Sequence, residues 1–470
     1  MNTVTTLSPA DWVFMIFVII TLGCLVTRRD ALLPTSVGLV VVGAILKGSL
    51  IGGLMVAFNA IMASTTDLLN IIILIALIVM MTKTMDDMGS DRLMVVPIRR
   101  LLGNAYISYW VLGIAMLILS WFIWPTPAAP LLGALAVPLA VKSGLPPMVA
   151  AMSLSIFGKG VGLSSDFIIQ GSPTVTAKIT NIPVDEIMAA NVPVWATVSI
   201  VAVTVSFILA SRMIRASKRR SDGMKGSAIS IWDISIGEAP APATASASFI
   251  GRVMAWVIPI ALIADVYFMY TLKIKGGSAT ALIGGTALLI TMISAVFQYK
   301  DKAFAKTMEH AREGWMFAVK VFGPVVIIAG FFWLGGDSIK QILGDKNAQG
   351  LMFDWGYYIA DHMPINKFMV ALMVTIAGIL GAFDGSGYAA IPLGASIGMA
   401  LGKPIGANTA ILASQAQMAA IWTGATLVPW GFLAVTAAIT VVDPKDLARR
   451  NILPTLLGLA ASVIVTTLLE

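Results

Sequence analysis

The sequence predicts an all-α polytopic membrane protein made of two inverted-topology repeats, each with about five spans, a re-entrant helical hairpin and a broken helix. Three observations predict it. The 470-residue chain is 58% hydrophobic and 12% charged, with a mean hydropathy of +0.90, whereas a soluble domain carries about 25% charged residues. Apolar runs recur near or above the ~18 residues needed to cross about 30 Å of hydrocarbon as a helix. The order of runs and breaks in the first half returns in the second. The runs lack the apolar–polar alternation of an outer-membrane barrel, which excludes that class.

In chain order, Trp12–Val26 is the first span, closed by Arg28 and Arg29, and Leu33–Leu46 is the second. Ser49–Met62 mixes Gly and Asn with apolar residues and reads as interfacial. Leu68–Met81 is the third span, followed by KTMDDMGSDRL and the basic amphipathic VVPIRRLL. Tyr106–Trp124 is one arm of a hairpin, PTPAAP (Pro125–Pro130) its break, and Leu131–Val141 the returning arm. Met148–Ile179 is a long segment interrupted by GKGVG and GSPT, and Val192–Ala210 is a span ending in RMIRASKRR.

The polar Ser221–Ser248, with APAPATASAS, reads as a cytoplasmic linker between residues 1–220 and residues 249–470. The second half places spans near Val253–Tyr270, Ala279–Phe297 and Trp315–Leu334, then a polar loop Gly335–Asn366. The arm Phe368–Ala382, the break FDGSG, the arm Tyr388–Leu401, a segment broken near TGATLVP, and a last span Ile452–Leu469 complete it. Gly144 overlays Gly402, Pro146 overlays Pro404, and ITNIPVDEI overlays ITVVDPKDL.

Charge distribution bears on orientation. If both hairpins enter and leave on one side, Arg28, Arg29, Arg92, Arg99, Arg100, the RMIRASKRR run, Lys300, Lys302, Lys306, Arg312, Arg449 and Arg450 fall on one face, with fewer Lys and Arg opposite. The positive-inside rule makes that face cytoplasmic and puts both termini outside. Hairpins that cross fully would swap the later loops. The net charge of +7 is explained by these loops and needs no nucleic acid. One cysteine, Cys24, excludes an intrachain disulfide. The histidines, His310 and His362, lie outside the predicted spans, and no metal site beyond Na+ is expected. There is no Walker A motif and no catalytic triad, so neither ATP-driven transport nor an enzyme is expected. The N-terminus lacks the basic region of a cleaved signal, so the first span is expected to be retained.

Paired interrupted segments are the best sequence pointer to a secondary transporter's site. A helix broken within the membrane leaves free N–H groups at one end, suited to an anion, and free C=O groups at the other, suited to a cation. Four breaks qualify: PTPAAP, SSDFIIQGSPT (Ser164–Thr174), FDGSG, and SQAQMAAIWTGAT (Ser414–Thr426). They nominate Thr126, Ser164, Ser165, Gly171, Ser172, Pro173, Thr174, Gly385, Ser386, Gly387, Thr423, Gly424 and Thr426 for substrate, and Asp384, Asp166 and Gln417 for a cation or proton. Kinks alone also explain isolated Gly and Pro, and Ser or Thr hydroxyls also bond back to their own helix. Lys159 reads as snorkelling to the surface, with pairing to Asp166 or attraction of an anion as the other readings. Asp265 reads as a mid-span carboxylate, and the KTMDDMGSDR acids as solvated.

PTPAAPLLGALAVPLA, IIQGSPTVTA, DGSGYAAIPL and WTGATLVPW together resemble the ion transporter superfamily, which contains gluconate, citrate and dicarboxylate carriers, arsenite permeases and several Na+/H+ antiporters. The resemblance spans nearly the whole chain in architecture. It implies a scaffold domain, a transport domain carrying two hairpins, a homodimer, and substrate and cation held between hairpin tips and broken helices. The Ser-Asn-Thr tip common in dicarboxylate carriers is absent; Thr126 and the pair Asp384/Ser386 stand instead. The expected function is a cation-coupled secondary carrier, with Na+ or H+, of a small organic anion such as a carboxylate, in the cytoplasmic (inner) membrane and with no bound cofactor. A Na+/H+ antiporter without organic substrate and a non-transporting scaffold subunit are the other readings.

Overall fold

The computed structural model describes residues 6–26, 29, 32–91, 93–94, 101–223, 248–274, 277–336, 338–362, 364–382, 387–429 and 432–470. Those residues form helices and turns, with no strand among them. Among the described residues, seven helices are long and apolar enough to cross a membrane. The protein is therefore an all-α polytopic membrane protein.

The first half opens with α1 (Pro9–Val26), α2 (Leu32–Lys47) and α3 (Leu50–Met88). Ser49 caps α3 through its side chain, and Gly89, at φ 70°, closes it. The expected interfacial stretch and third span are thus one helix of 39 residues, about 58 Å long at 1.5 Å per residue. Its glycines are what close packing requires: a Cβ on Gly53 would lie 2.5 Å from the Val40 carbonyl of α2.

Next come α4 (Ala105–Ile123), α5 (Pro125–Leu135) and α6 (Val137–Lys142). The break between α4 and α5 is the single residue Trp124, not all of PTPAAP. Pro125 restarts the helix at once, because proline lacks only an N–H that is free in a first turn. The chain then enters Pro147–Leu154, continues through a π-helical stretch Ser155–Gly162 and ends at Leu163–Ser165; these are grouped as α7. After a turn, α8 (Gly171–Thr180) and α9 (Val184–Gly223) follow. Helix α9 runs on through the basic RMIRASKRR. Val95–Arg100 of the VVPIRRLL segment and most of the linker lie outside the described residues.

The second half has α10 (Phe249–Thr271), α11 (Gly277–Tyr299) and α12 (Ala303–Trp333). The expected polar loop after α12 contains two helices, α13 (Ile339–Leu343) and the amphipathic α14 (Leu351–His362). The arms α15 (Lys367–Gly381) and α16 (Ala390–Gly402) form the second hairpin, followed by α17 (Thr409–Thr426), α18 (Phe432–Ile439) and α19 (Pro444–Leu469). Helix α17 is continuous across Ser414–Thr426, so the fourth break falls after Thr426 and not within that stretch. Its glutamines do not interrupt it because neighbouring helices satisfy them. Gln415 Nε2 donates to Thr375 Oγ1 at 2.8 Å, and Thr466 Oγ1 donates to Gln415 Oε1 at 3.1 Å.

Local geometry repeats between the halves. Asn181 and Val441, each two residues after an Ile, have φ 54° and 53°, and the amides of Ile182 and Val442 bond to the carbonyls of Ala177 and Ala437. Gly144 and Gly406 share another turn: Gly144 N bonds to Val141 O and Leu145 N to Ala140 O, while Gly406 N bonds to Lys403 O and Ala407 N to Gly402 O. The overlay of Gly144 on Gly402 therefore shifts by one turn, to Gly406. Packing is reciprocal as well. Helix α8 of the first half lies on α16 of the second, and α18 of the second lies on α5 of the first. Helix α3 packs along α12, and α9 along α19.

Helix α17 is the centre of the molecule, buried from Ala410 to Thr426. Small residues let its neighbours approach closely: Gly394 faces Ala416, and Gly160 faces the Trp422 ring. The outward faces of α10, α11 and α12 expose Trp256, Tyr270, Phe297 and Met316, as a lipid-facing surface does.

Candidate functional site

The first broken helix builds the site's floor. Asp166 ends α7 in the left-handed region, at φ 43°, and Gln170 precedes α8 at φ 62°. Between them the chain reverses enough to bring the Asp166 carboxylate onto the start of α8. Asp166 Oδ2 accepts from Gly171 N at 2.6 Å and Ser172 N at 3.1 Å, with Ser172 Oγ at 3.5 Å. These are the N–H groups that an anion would seek at a helix N-terminus. A side-chain carboxylate of the protein already occupies them.

The nominated hydroxyls are largely engaged within the protein. Ser164 Oγ donates to Val161 O and Ser165 Oγ to Val161 O and Gly162 O. Trp121 Nε1 donates to Ser165 Oγ at 2.9 Å. Ser172 Oγ donates to Leu163 O at 2.8 Å. Pro173 and Thr174 lie in the buried first turn of α8.

Gln417 ties the two broken segments together. Its Nε2 donates to Ser164 O at 2.8 Å, and its Oε1 accepts from Thr176 Oγ1 at 2.7 Å. Thr423 and Gly424 are buried nearly two turns further along α17, and Thr423 Oγ1 has no partner among the described residues. Thr426 points away from this centre, to Thr455 Oγ1 at 2.8 Å. Asn451, which the sequence reading did not single out, donates to the Thr426 carbonyl at 3.1 Å and to Ser155 Oγ at 3.0 Å. It satisfies one of the carbonyls freed where α17 stops.

The hairpin tips complete the site. Gly387, at φ 79°, lies on α17, where a Cβ would meet Ala420 O at 2.6 Å. The next residue, Tyr388, is fully buried and faces Ser172 and the Asp166 carboxylate. Its ring stands edge-on to Trp124 of the other tip, with centroids 5.7 Å apart, and Phe322 of α12 contacts both rings at 5.7 and 6.3 Å. Thr126 is half-buried in the first turn of α5. Asp384, Gly385 and Ser386 lie outside the described residues.

The structure brings together the Asp166–Ser172 turn, Gln417 and the Gly387–Tyr388 tip; Thr426 belongs to the packing of α19. Trp124, Tyr388 and Gln170 were not among the nominated residues. Their aromatic or amide character beside a break was the available signal.

Other charged residues also differ from expectation. Lys159 is wholly buried in the π-helical stretch, so it does not snorkel. Asp265 accepts from Thr286 Oγ1 at 2.9 Å. Asp87, expected to be merely solvated, accepts from Tyr299 OH at 2.9 Å and lies 3.1 Å from His310 Nε2. His310 itself is buried within α12. Among the described residues no group of three or more His, Cys, Asp or Glu is placed to hold a metal ion.

No family model matches the chain. It is similar to a Bacillus subtilis (strain 168) protein described as "Uncharacterized membrane protein YhfA", with 33% identity over 464 residues, covering 98% of this chain and 97% of the relative. Identity of that extent, end to end, carries the membrane architecture across both halves, and the chain belongs to the family of the B. subtilis membrane protein YhfA.

Proposed function

We propose that the protein is a secondary active transporter of the cytoplasmic membrane, a Na+- or H+-coupled carrier of a small organic anion such as a carboxylate. The observation that supports it most is the convergence of two chain breaks: Tyr388, at the tip of the second hairpin, faces Ser172 and Asp166 in the broken helix of the first half. Irregular backbone at membrane depth is tolerated where it is buried in protein or lines a cavity, and paired breaks are the usual binding-site arrangement of such carriers. The reciprocal packing of the halves fits an inverted repeat. Movement of the two hairpins and broken helices against α3 and α12 would alternate access, in a homodimer.

In this reading Asp384 is the coupling carboxylate. Asp166 serves chiefly to cap α8, so the substrate is held by the tips rather than by the α8 N-terminus. Uptake of labelled carboxylates into proteoliposomes under imposed Na+ or H+ gradients tests the reading. Gradient-dependent uptake abolished by Asp384→Asn is expected. No uptake across a broad panel would overturn it, and gradient-driven pH change without any anion would favour the Na+/H+ antiporter.

A further inference from the structure

Away from the hairpin tips, a cavity of about 520 Å³ lies between α3, the end of α8 and α13, a volume that suits a small molecule. Its polar lining is Asp67 of α3, Lys178 in the last turn of α8, Asn181 just after it, Ser338 just before α13, and Lys340 and Gln341 within α13. Helix α9 also begins at this cavity and carries RMIRASKRR near its other end. The cavity therefore lies toward the face opposite that basic run.

Among the described residues, the charged groups lining it are two cations and one carboxylate. Lys178 Nζ stands 3.7 Å from Asp67 Oδ1, beyond the roughly 2.7–2.9 Å of a charge-assisted hydrogen bond. The two side chains are 43% and 24% exposed, so water reaches both. An ion pair this loose and this wet contributes little to stability. The nearby carbonyl that would repel an anion is already used, since Ala177 O accepts from Asn181 N and Ile182 N.

We propose that this cavity is an outer binding site for a small oxyanion, one of whose oxygens displaces Asp67 from Lys178 Nζ. Asp67 is then a built-in competitor: it holds Lys178 in the empty site and sets the affinity for what enters. Six residues, about 9 Å of helix, separate Lys178 from Ser172, so this site is distinct from the hairpin tips but joined to them by α8. Displacement removes the ion pair that ties α8 to α3. The proposal rests on the transporter reading for its purpose, but the site itself is tested by binding alone.

The test is equilibrium binding of acetate, succinate and inorganic phosphate to the purified full-length protein at constant ionic strength. The parent protein should bind at least one of them. Lys178→Gln should weaken that binding roughly ten- to hundredfold, the scale of one hydrogen bond to a charged group, and Lys178→Arg, which keeps the charge, should retain it. Asp67→Asn should strengthen it roughly three- to tenfold, the scale of an exposed ion pair, because the competitor loses its charge. Both neutral substitutions break the same ion pair, so a purely structural pair predicts shifts of one sign. Shifts of the same sign, unchanged binding in both variants, or no binding of any of the three probes would overturn the proposal. Opposite shifts without uptake into vesicles would retain this site and remove the transporter reading; uptake with binding unchanged in both variants would do the reverse.

Discussion

The hydroxyls of Ser108 and Ser143 lie 2.7 Å apart across 35 residues of chain. Ser108 stands in the first turn of α4 and Ser143 just after α6, so the α4–α5–α6 unit leaves on the side where it began. Cysteines placed singly at their exposed neighbours Gly103 and Lys142, in a Cys24→Ala background, should react with membrane-impermeant thiol reagents from the same side of sealed vesicles. Labelling from opposite sides would rule out the hairpin.

Asp166 satisfies two main-chain donors at the start of α8. Removing a helix cap costs about 0.5–2 kcal/mol, and stranding buried donors adds to it. Asp166→Ala should therefore destabilise the purified protein by about 2 kcal/mol or more, and Asp166→Asn, which retains an acceptor oxygen, by clearly less. Equal Tm values for the two variants would mean that the carboxylate's role is not capping.

Two glycines mark places where helices touch without side chains. A Cβ on Gly160 would come within 2.6 Å of the Trp422 ring, and one on Gly356 would strike the Ala400 carbonyl of α16. Overpacking of this kind typically costs about 1–3 kcal/mol. Gly356→Ala should be the worse of the pair, because main chain yields less readily than a ring. Thermal unfolding of both variants in one detergent checks the order.

Asp354 on α14 gives a pH dependence. Burial first, and the nearby Asp11 carboxylate second, push its carboxyl up from near 3.8 to about 6. Asp11 Oδ2 accepts from Ser8 N and Ser8 Oγ, both at 2.7 Å, and the Asp11 carboxylate lies within hydrogen-bond reach of the Asp354 carboxyl. Trp355 Nε1 donates to the Asp11 carbonyl at 2.8 Å, and Gln349 Nε2 donates to Asp354 Oδ1. A folded pKa raised in an acid means the folded protein holds the proton more tightly. Stability from this contact is present below about pH 4 and is lost as pH rises through about 6. Wild-type Tm should fall across that window, and Asp354→Asn should flatten the fall; an unaltered slope in the variant would assign it to other groups.

The breaks and their order were legible because Pro, Gly and isolated polar residues punctuate apolar runs at a fixed place in each half. The turn at ITNIPVDEI and its counterpart at ITVVDPKDL were matched from sequence, and the φ values of Asn181 and Val441 agree. What failed were properties created by distant partners. Gln415 and Gln417 looked like a break, yet Thr375, Thr466, Thr176 and the Ser164 carbonyl absorb them. Lys159 looked able to reach the surface, yet α17 and α4 close around its segment. That the indole N–H of Trp124 has no partner among the described residues could not be read at all, since a missing partner belongs to the folded molecule and not to the residue.

Helix α5 emerges early in synthesis, but α18, which covers it, is encoded some three hundred positions later. At roughly 5–20 residues per second, the uncovered face waits in the bilayer for about 15–60 seconds. Gly133 of α5, shaped to receive Ile439, is exposed for that whole interval. Biogenesis of this protein therefore depends on what shelters an unfinished first half, and truncation shortly before residue 432 should be far more damaging to insertion and survival in the cell than its short length suggests.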